Sequence, residues 1–337
     1  MSDWRVAVVG ATGAVGRTMI KMLEDRSFPL ADLRLISSAR SAGSKVETRW
    51  GEIVVEDLAS ADPAGIDLAL FSAGGDRSRT FAPEFVAAGA VVIDNSSAFR
   101  QVTEVPLVVA GVNDHAIADH HGIIANPNCT TMTLMMAAAP LHRQAGLASV
   151  VATSYQSVSG AGQRGIDELV RQNDLLASDR QALAVGGWSD PGGDLFPRPI
   201  GWNVVPHAGN LVEAGYTDEE WKLVNETRKI LEAPKVLVEP TCVRVPVMVG
   251  HAVAVSMTFD RLLGIDEAIQ LLKEAPGIEV WTNRAPTPLD SAGKDEVLVG
   301  RVRESLGQPG GINLWAVGDN LRKGAALNAV QIAELLG

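Results

Sequence analysis

Cys129 precedes an apolar, alanine-rich stretch, Met132–Leu141, that the sequence predicts as a helix, so its thiol belongs at or near a helix N terminus. The positive end of a helix favours a thiolate and can draw a cysteine well below its free pKa of about 8.5, and the first backbone N–H groups can hold a developing oxyanion. The competing reading of an isolated cysteine is a small buried hydrophobe; Cys242, inside the apolar strand Lys235–Val245, fits that one. A nucleophilic thiol needs a partner that moves protons, and histidine is poised near neutral pH. His115, His120 and His121 lie in a polar stretch, His142 near a helix end and His207 in an irregular segment. His251 opens an apolar strand directly after Gly250, as a catalyst or as a buried structural histidine. Arg244 lies in the run Val243–Pro246, where an unpaired guanidinium is costly and either a bound carboxylate or an internal salt bridge would offset it. Glu219 and Lys222 share a helix face behind the capping box Thr217 to Glu220, either as ligands or as an exposed ion pair.

A second constellation lies at the other end of the chain. Gly10, Ala11, Thr12, Gly13, Ala14, Val15 and Gly16 follow a strand and open a helix, where glycines let the backbone approach a pyrophosphate at the positive helix end. The spacing departs by one residue from the usual G-x-G-x-x-G, and a tight strand-to-helix turn needs glycine in any case. The next strand ends in Ser37, Ser38, Ala39 and Arg40. Dinucleotide sites that take NAD commonly end this strand with a carboxylate for the ribose 2′-hydroxyl. Two hydroxyls and a guanidinium suit the 2′-phosphate of NADP instead, unless Arg40 is only a surface-loop arginine.

The elements that must position these groups fall into two textures. Up to about residue 125, strands (Arg5–Gly10, Leu33–Ile36, Asp67–Ser72, Ala90–Asp94, Leu107–Gly111, Ile123–Ala125) alternate with helices (Ala14–Arg26, Arg77–Ala88), which calls for a doubly wound, largely parallel sheet. Beyond Ser149 longer, alternating strands (Ser149–Ser157, Lys235–Val245, His251–Asp260) and helices (Gln163–Ala177, Thr217–Leu231, Ile265–Glu274) predict an α+β domain with a mixed sheet. Residues 186–210, rich in Gly, Pro and Trp, show no period and read as a long ordered loop or an interface segment; Asn320–Leu336 is again helical and expected to pack on the first domain. At 337 residues two domains are expected, 1–127 with 318–337 and 128–317. The net charge of −11 opposes binding to nucleic acid. No apolar run of about 18 residues predicts a membrane span. Two cysteines form neither a disulfide framework nor a metal-binding pair, so no metal is expected. The N terminus lacks the marks of a secretory signal, which makes a cytoplasmic location the expectation.

These motifs, joined by 94–100 (Asp-Asn-Ser-Ser-Ala-Phe-Arg), Asn126–Thr131, Tyr155–Gly162, Glu219–Lys222, Arg244 to His251 and Asp319–Asn328, resemble the aspartate-semialdehyde dehydrogenase family along essentially the whole chain. The resemblance implies an α/β protein, a Rossmann-type domain plus an α+β catalytic and dimerisation domain, that reduces L-4-aspartyl phosphate with NADPH to the semialdehyde through a cysteine thioester, releasing phosphate. It implies Cys129 as nucleophile, Gln156 as the residue that orients the intermediate and His251 as acid–base catalyst. Arg244 would hold the α-carboxylate, Glu219 the amino group, and Arg100 with Lys222 the phosphate, with Asn128, Ser157 and Gly160 also at the substrate. Cofactor contacts extend to Ser72, Ala73, Asn95, Gly162 and Asn320. The family further implies a homodimer and a place in the route from aspartate to lysine, threonine and methionine. N-acetyl-γ-glutamyl-phosphate reductase shares the chemistry but typically carries glycine before its cysteine, where this chain has Asn128. A non-catalytic dinucleotide-binding protein is the alternative of a different class.

Overall fold

The computed structural model describes residues 3–178 and 180–337. In chain order the elements are β1 Trp4–Val9, α1 Ala14–Asp25, β2 Leu30–Ser37, β3 Lys45–Thr48, β4 Gly51–Val54, β5 Glu56–Asp57, β6 Leu68–Phe71, α2 Gly75–Ala87, β7 Val91–Asp94 and β8 Ile123–Ala125. There follow α3 Cys129–Ala145, β9 Leu147–Gln156, α4 Gln163–Ala177, α5 Arg180–Val185, α6 Asp218–Ile230, β10 Leu237–Arg244, β11 His251–Phe259, α7 Ile265–Glu274, β12 Ile278–Trp281, α8 Pro288–Ser291, β13 Val297–Glu304, β14 Ile312–Gly318 and α9 Leu327–Glu334. By contacts the chain divides into one unit of Met1–Asn128, Arg228–Ala233 and Leu321–Gly337 and a second of Cys129–Thr227 and Pro234–Asn320.

The first unit is built on a six-stranded sheet in the order β5-β2-β1-β6-β7-β8, all parallel. Such a sheet is buried on both faces, which is why its strands read as continuous apolar runs. Alternate residues feed opposite layers: Val6, Val8, Leu68 and Leu70 pack with Met19 and Leu23 of α1 and Leu327 and Val330 of α9. Ala7, Val9, Ala69 and Phe71 pack with Ala82 and Phe85 of α2. The chain leaves β1 for β2 on one side and reaches β6 on the other, so a crevice opens beyond the carboxyl ends of β1 and β6, the usual ligand position in open α/β sheets.

Leu107–Gly111, expected as a strand, is not one; only a bridge from Leu107 to Ala125 forms. Two side-chain amides do the work of a neighbouring strand. Asn113 accepts from Val109 N–H and donates to the Leu107 carbonyl, each at 2.9 Å, while Asn328 accepts from Ala110 N–H and donates to the Val108 carbonyl, also at 2.9 Å. The backbone is satisfied without a ladder.

The second unit carries a mixed sheet in the order β10-β9-β11-β14-β13-β12, with β9–β10 and β12–β13 parallel and the remaining pairs antiparallel. Its α3 packs across β9, β11 and β14, and α7 across β12 and β13. The segment 186–210 is ordered by burying Phe196, Ile200 and Val205 against Val158, Ile166 and Leu169, and by the Gln172 side chain, which accepts from Ile200 and Gly201 N–H at 2.7 and 2.9 Å.

Candidate active site

In the first unit, the turn after β1 requires glycine at two positions. Gly10 has φ +90°, and a Cβ there would lie 2.3 Å from the Ser72 carbonyl oxygen after β6; a Cβ on Gly16 would lie 2.2 Å from the Gly10 carbonyl oxygen. Gly10 thus lets the turn pass the end of β6, and Gly16 seats α1 against it. Gly13 caps α1 without a side-chain acceptor, leaving the first N–H groups of the helix to a ligand. Beside this turn lies a cleft of about 170 Å³ lined by Gly10, Thr12, Gly13, Ser37, Ser38, Arg40, Ser41, Leu58, Ser72, Ala73 and Arg77. Thr12 Oγ1 ties the turn to the end of β2 through Ser37 Oγ at 2.9 Å and Ser41 Oγ at 3.1 Å. Ala11 is fully buried, and Ala14, Val15 and Gly16 form the start of α1 outside the lining.

The cleft carries two guanidiniums and no carboxylate, a donor set that fits a phosphorylated ribose. Arg77 was not legible as a site residue, because it reads as one more polar residue of α2; only its place in the first turn, just past β6, could have signalled it. Asn95 turns elsewhere: its Oδ1 accepts from Asn126 Nδ2 at 2.5 Å and its carbonyl from Arg100 Nη2 at 2.7 Å. Arg100 is buried and also donates through Nε to the Asn126 carbonyl at 2.9 Å. Lys229 secures the loop after Arg100 by donating to the carbonyls of Arg100, Val102 and Val105 at 2.7–2.9 Å. Asn128 is buried at the end of this unit.

In the second unit, residues far apart in sequence meet through strand register. β9 and β10 run parallel and place Gln156 opposite Arg244 at their carboxyl ends, while antiparallel β11 starts at that same end with His251. Cys129 is the first residue of α3, partly exposed, and Met132–Leu141 behind it is buried throughout. The Glu219 carboxylate, and after it a charge on Cys129, would each favour the Arg244 guanidinium, which places the three groups within electrostatic reach of one another. Burial, first of all, lowers the pKa of Arg244 below the ordinary arginine value. Arg244 Nη1 donates to the Ser157 carbonyl at 2.8 Å, its Nε is buried without a partner, and the ring of Phe196 lies 5.9 Å from its guanidinium carbon. Val205 pairs with Arg244 through two backbone bonds of 2.8 and 2.9 Å, which gives the segment 186–210 its place in the site.

Glu219 and Lys222 pair at 2.9 Å, and Lys222 reaches Asp218 at 3.0 Å. This is no exposed pair: the Glu219 side chain retains 12% of its surface. Burial works against the Lys222 ammonium, but the two carboxylates outweigh it and raise its pKa. The capping box forms, with Thr217 N–H donating to Glu220 Oε2 at 2.7 Å and Glu220 N–H to Thr217 Oγ1 at 3.2 Å. Glu220 Oε1 also accepts from Cys242 N–H at 2.8 Å, so one carboxylate sets α6 against β10. Sequence reasoning saw only the cap.

His251 is fully buried and its pKa is lowered to about 3, first by that burial and then by the Arg244 charge, with Glu219 opposing. Its Nδ1 accepts from Ser157 N–H at 3.0 Å, and its Nε2 has no hydrogen-bond partner among the described residues. A Cβ on Gly160 would lie 3.0 Å from Arg244 Nη1 and 3.3 Å from His251 Nε2, so the missing side chain keeps open the space that both groups face. Gln156 is buried and donates to Ser154 Oγ at 3.2 Å. Gly162, with φ +75°, begins α4. Asn320 has its side chain engaged inside this unit by Gly250 N–H at 2.9 Å and by the hydroxyls of Ser157 and Ser159. Cys242 is the inert thiol, its pKa pushed up to about 12 by burial.

Comparison with known proteins agrees with this arrangement. Residues 5–120 match the semialdehyde dehydrogenase NAD binding domain and residues 138–323 the semialdehyde dehydrogenase dimerisation domain. The chain is 51% identical to aspartate-semialdehyde dehydrogenase of Streptomyces akiyoshiensis, covering 98% of each. The crystal structure of aspartate semialdehyde dehydrogenase II from Vibrio cholerae superposes with a TM-score of 0.95 at 44% identity, over 99% of this chain and 98% of that one. The same enzyme complexed with ASA gives a TM-score of 0.93 at 44% identity, over 100% and 98%.

Proposed function

Since the chain belongs to the aspartate-semialdehyde dehydrogenase family, we propose that it reduces L-4-aspartyl phosphate to L-aspartate 4-semialdehyde by way of a thioester on Cys129. The observation that carries this reading is the meeting of Gln156, Arg244 and His251 at one end of the mixed sheet, with His251 Nε2 facing the same gap over Gly160 as Arg244 Nη1. An aspartyl substrate presents an α-carboxylate, an ammonium and an acyl phosphate. Arg244 suits the first and Glu219 the second, while Arg100 and Lys222 carry the phosphate role. The Cys129 thiolate attacks the acyl carbon and phosphate leaves. Gly10, Gly13, Ser37, Ser38, Arg40 and Arg77 would hold the nicotinamide cofactor, which would supply hydride for the thioester carbonyl carbon. Cys129 then departs as the semialdehyde forms, with His251 acting at the carbonyl oxygen and Gln156 orienting the acyl group.

NADP is the proposed cofactor. Support comes from Ser37, Ser38, Arg40 and Arg77 around the cleft and from the lack of a lining carboxylate for a free 2′-hydroxyl. The match of residues 138–323 to a dimerisation domain supports a homodimer, and two cysteines kept as thiols suit a reducing, cytoplasmic setting. The test follows NADPH formation from the semialdehyde and phosphate, wild type beside Cys129→Ala, with N-acetylglutamate semialdehyde as competitor. Phosphate-dependent turnover of the first substrate, abolished in Cys129→Ala, is expected; turnover of only the competitor would overturn the substrate assignment.

A further inference from the structure

The immediate surroundings of His251 decide where its proton sits. A backbone N–H can only donate, so the 3.0 Å bond from Ser157 N–H requires a lone pair on Nδ1, and a neutral imidazole then carries its proton on Nε2. The side chains behind Ser157 support the same arrangement. Gly250 N–H donates to Asn320 Oδ1 at 2.9 Å, which fixes the orientation of that amide, and Asn320 Nδ2 donates to Ser159 Oγ at 2.9 Å. Ser159 Oγ lies 3.1 Å from Ser157 Oγ, which lies 3.1 Å from His251 Nδ1. These distances permit a chain of donors from Asn320 through the two hydroxyls to Nδ1. Both hydroxyls also lie 3.1 Å from Asn320 Oδ1 and can turn to it, but the Ser157 N–H holds Nδ1 as acceptor in either state.

We propose that His251 is locked as the neutral Nε2–H tautomer and serves the substrate carbonyl oxygen as a fixed hydrogen-bond donor, with Asn320, Ser159 and Ser157 as its positioning residues. Nε2 is a buried polar atom without a partner, which folded proteins rarely leave without a use. It faces the gap over Gly160.

The catalytic half of this inference rests on the proposed function, and the electron balance of that reaction asks for nothing more than a donor. The sulfur pair of Cys129 forms the C–S bond and the carbonyl π pair moves to oxygen. That pair returns as the bond between the acyl carbon and the bridging phosphate oxygen breaks, its electrons leaving on that oxygen, and the departing phosphate takes one proton from solvent. When the thioester carbon receives hydride, the π pair again moves to oxygen; it returns as the C–S bond breaks and its pair goes back to sulfur. The oxygen is charged twice and never keeps a proton. A preorganised N–H aimed at it is the device that stabilises such charge.

The tautomer is read by nitrogen NMR on the substrate-free dimer, with histidine labelled uniformly and the His251 signals identified by their loss in His251→Gln. The expected result is a protonated Nε2 and an unprotonated Nδ1 at about pH 7, unchanged to about pH 5. A proton on Nδ1, or on both nitrogens, overturns the proposal without touching the substrate assignment. In kinetics, the amide nitrogen of His251→Gln reaches the place of Nε2 and donates without carrying a proton, so it should stay at least about tenfold above His251→Ala. Equal losses in the two variants would refute the donor role. Asn320→Asp can only accept, so the hydroxyls turn to it and its charge favours a doubly protonated His251; unchanged His251 signals there would remove Asn320 from the chain.

Discussion

Gly160→Ala is the sharpest probe of the geometry, because it adds one carbon where the site needs none. Its Cβ would lie 3.0 Å from Arg244 Nη1 and 3.3 Å from His251 Nε2. A hydrogen-bonded oxygen sits at about 2.9 Å from its donor, so the methyl group takes space that a ligand atom bound to either nitrogen would use. Neither neighbour yields easily: Nη1 is held by the Ser157 carbonyl at 2.8 Å, and the imidazole by Ser157 N–H at 3.0 Å. Loss of one hydrogen bond to a charged group costs about 1.5–3 kcal/mol, or roughly 10- to 150-fold in kcat/KM, and loss of both donors compounds it toward about 10⁴-fold. Gly160 lacks a positive φ, so its backbone accepts alanine and the unfolded chain is restricted by a few tenths of a kcal/mol, against which the two tight contacts act; the net change in stability should stay within about 1 kcal/mol. The assay is phosphate-dependent NADPH formation beside thermal unfolding of the same preparation. A kcat/KM within twofold of wild type, in a protein of unchanged melting temperature, would refute the assignment of this gap to the substrate.

The remaining predictions test other parts of the structure. Arg40→Ala and Arg77→Ala should each raise KM for NADP at least about tenfold and leave that for NAD nearly unchanged, if each loses a charge-assisted bond to the 2′-phosphate; parallel rises for both cofactors would count against that clamp. Glu220→Ala keeps the Thr217 cap, whose donor is a backbone N–H, but strands the buried N–H groups of Thr217 and Cys242, about 1–3 kcal/mol each, so urea unfolding should show a loss of about 2–6 kcal/mol; less than about 0.5 kcal/mol would contradict the tie to β10. Because the folded-state pKa of His251 is lowered to about 3, the unfolded chain alone binds its proton as pH falls below the usual histidine value of about 6.5. Stability carried by this group is thus complete above about pH 6.5 and falls by up to about 1.4 kcal/mol per pH unit down to about pH 3, and His251→Gln should flatten that slope. Alkylation at about pH 8 should label Cys129 and spare buried Cys242 until the chain unfolds, as intact mass would show.

What the sequence could and could not show follows from the range of each interaction. The turn after β1 was legible because glycine is demanded locally, although the demand falls on Gly10 and Gly16 through contacts at 2.3 and 2.2 Å that spacing does not reveal. Helices α4 and α7 stand at their expected limits, since both are strongly amphipathic. The strand expected at Leu107–Gly111 failed because Asn113 and Asn328, the latter more than two hundred residues away, satisfy its backbone from their side chains. The same limit hid the second oxygen of Glu220 and the purpose of 186–210, which is seen only once Val205 pairs with Arg244 and Phe196 approaches its guanidinium. Strands β12, β13 and β14 escaped because β12 is short and partly buried throughout and β13 opens on four buried residues in a row, so neither alternates, and their partners are set by the sheet.

The charge around Arg244 also bears on why His251 is neutral. Arg244 has lost most of its hydration, its Nε lacks a partner, and the carboxylate acting on it, Glu219, is shared with Lys222. Such a guanidinium is under-compensated, and a further cation at His251 would add to a deficit that the burial of His251 already makes expensive. A neutral imidazole avoids that cost and still offers a donor at Nε2. An arriving carboxylate can then neutralise Arg244 without first displacing a second cation, and the carbonyl oxygen meets an N–H whose direction was set by Ser157 before the ligand arrived. Binding and activation are thereby divided between two strand ends that flank β9, Arg244 closing β10 and His251 opening β11, with the open face of Gly160 before both.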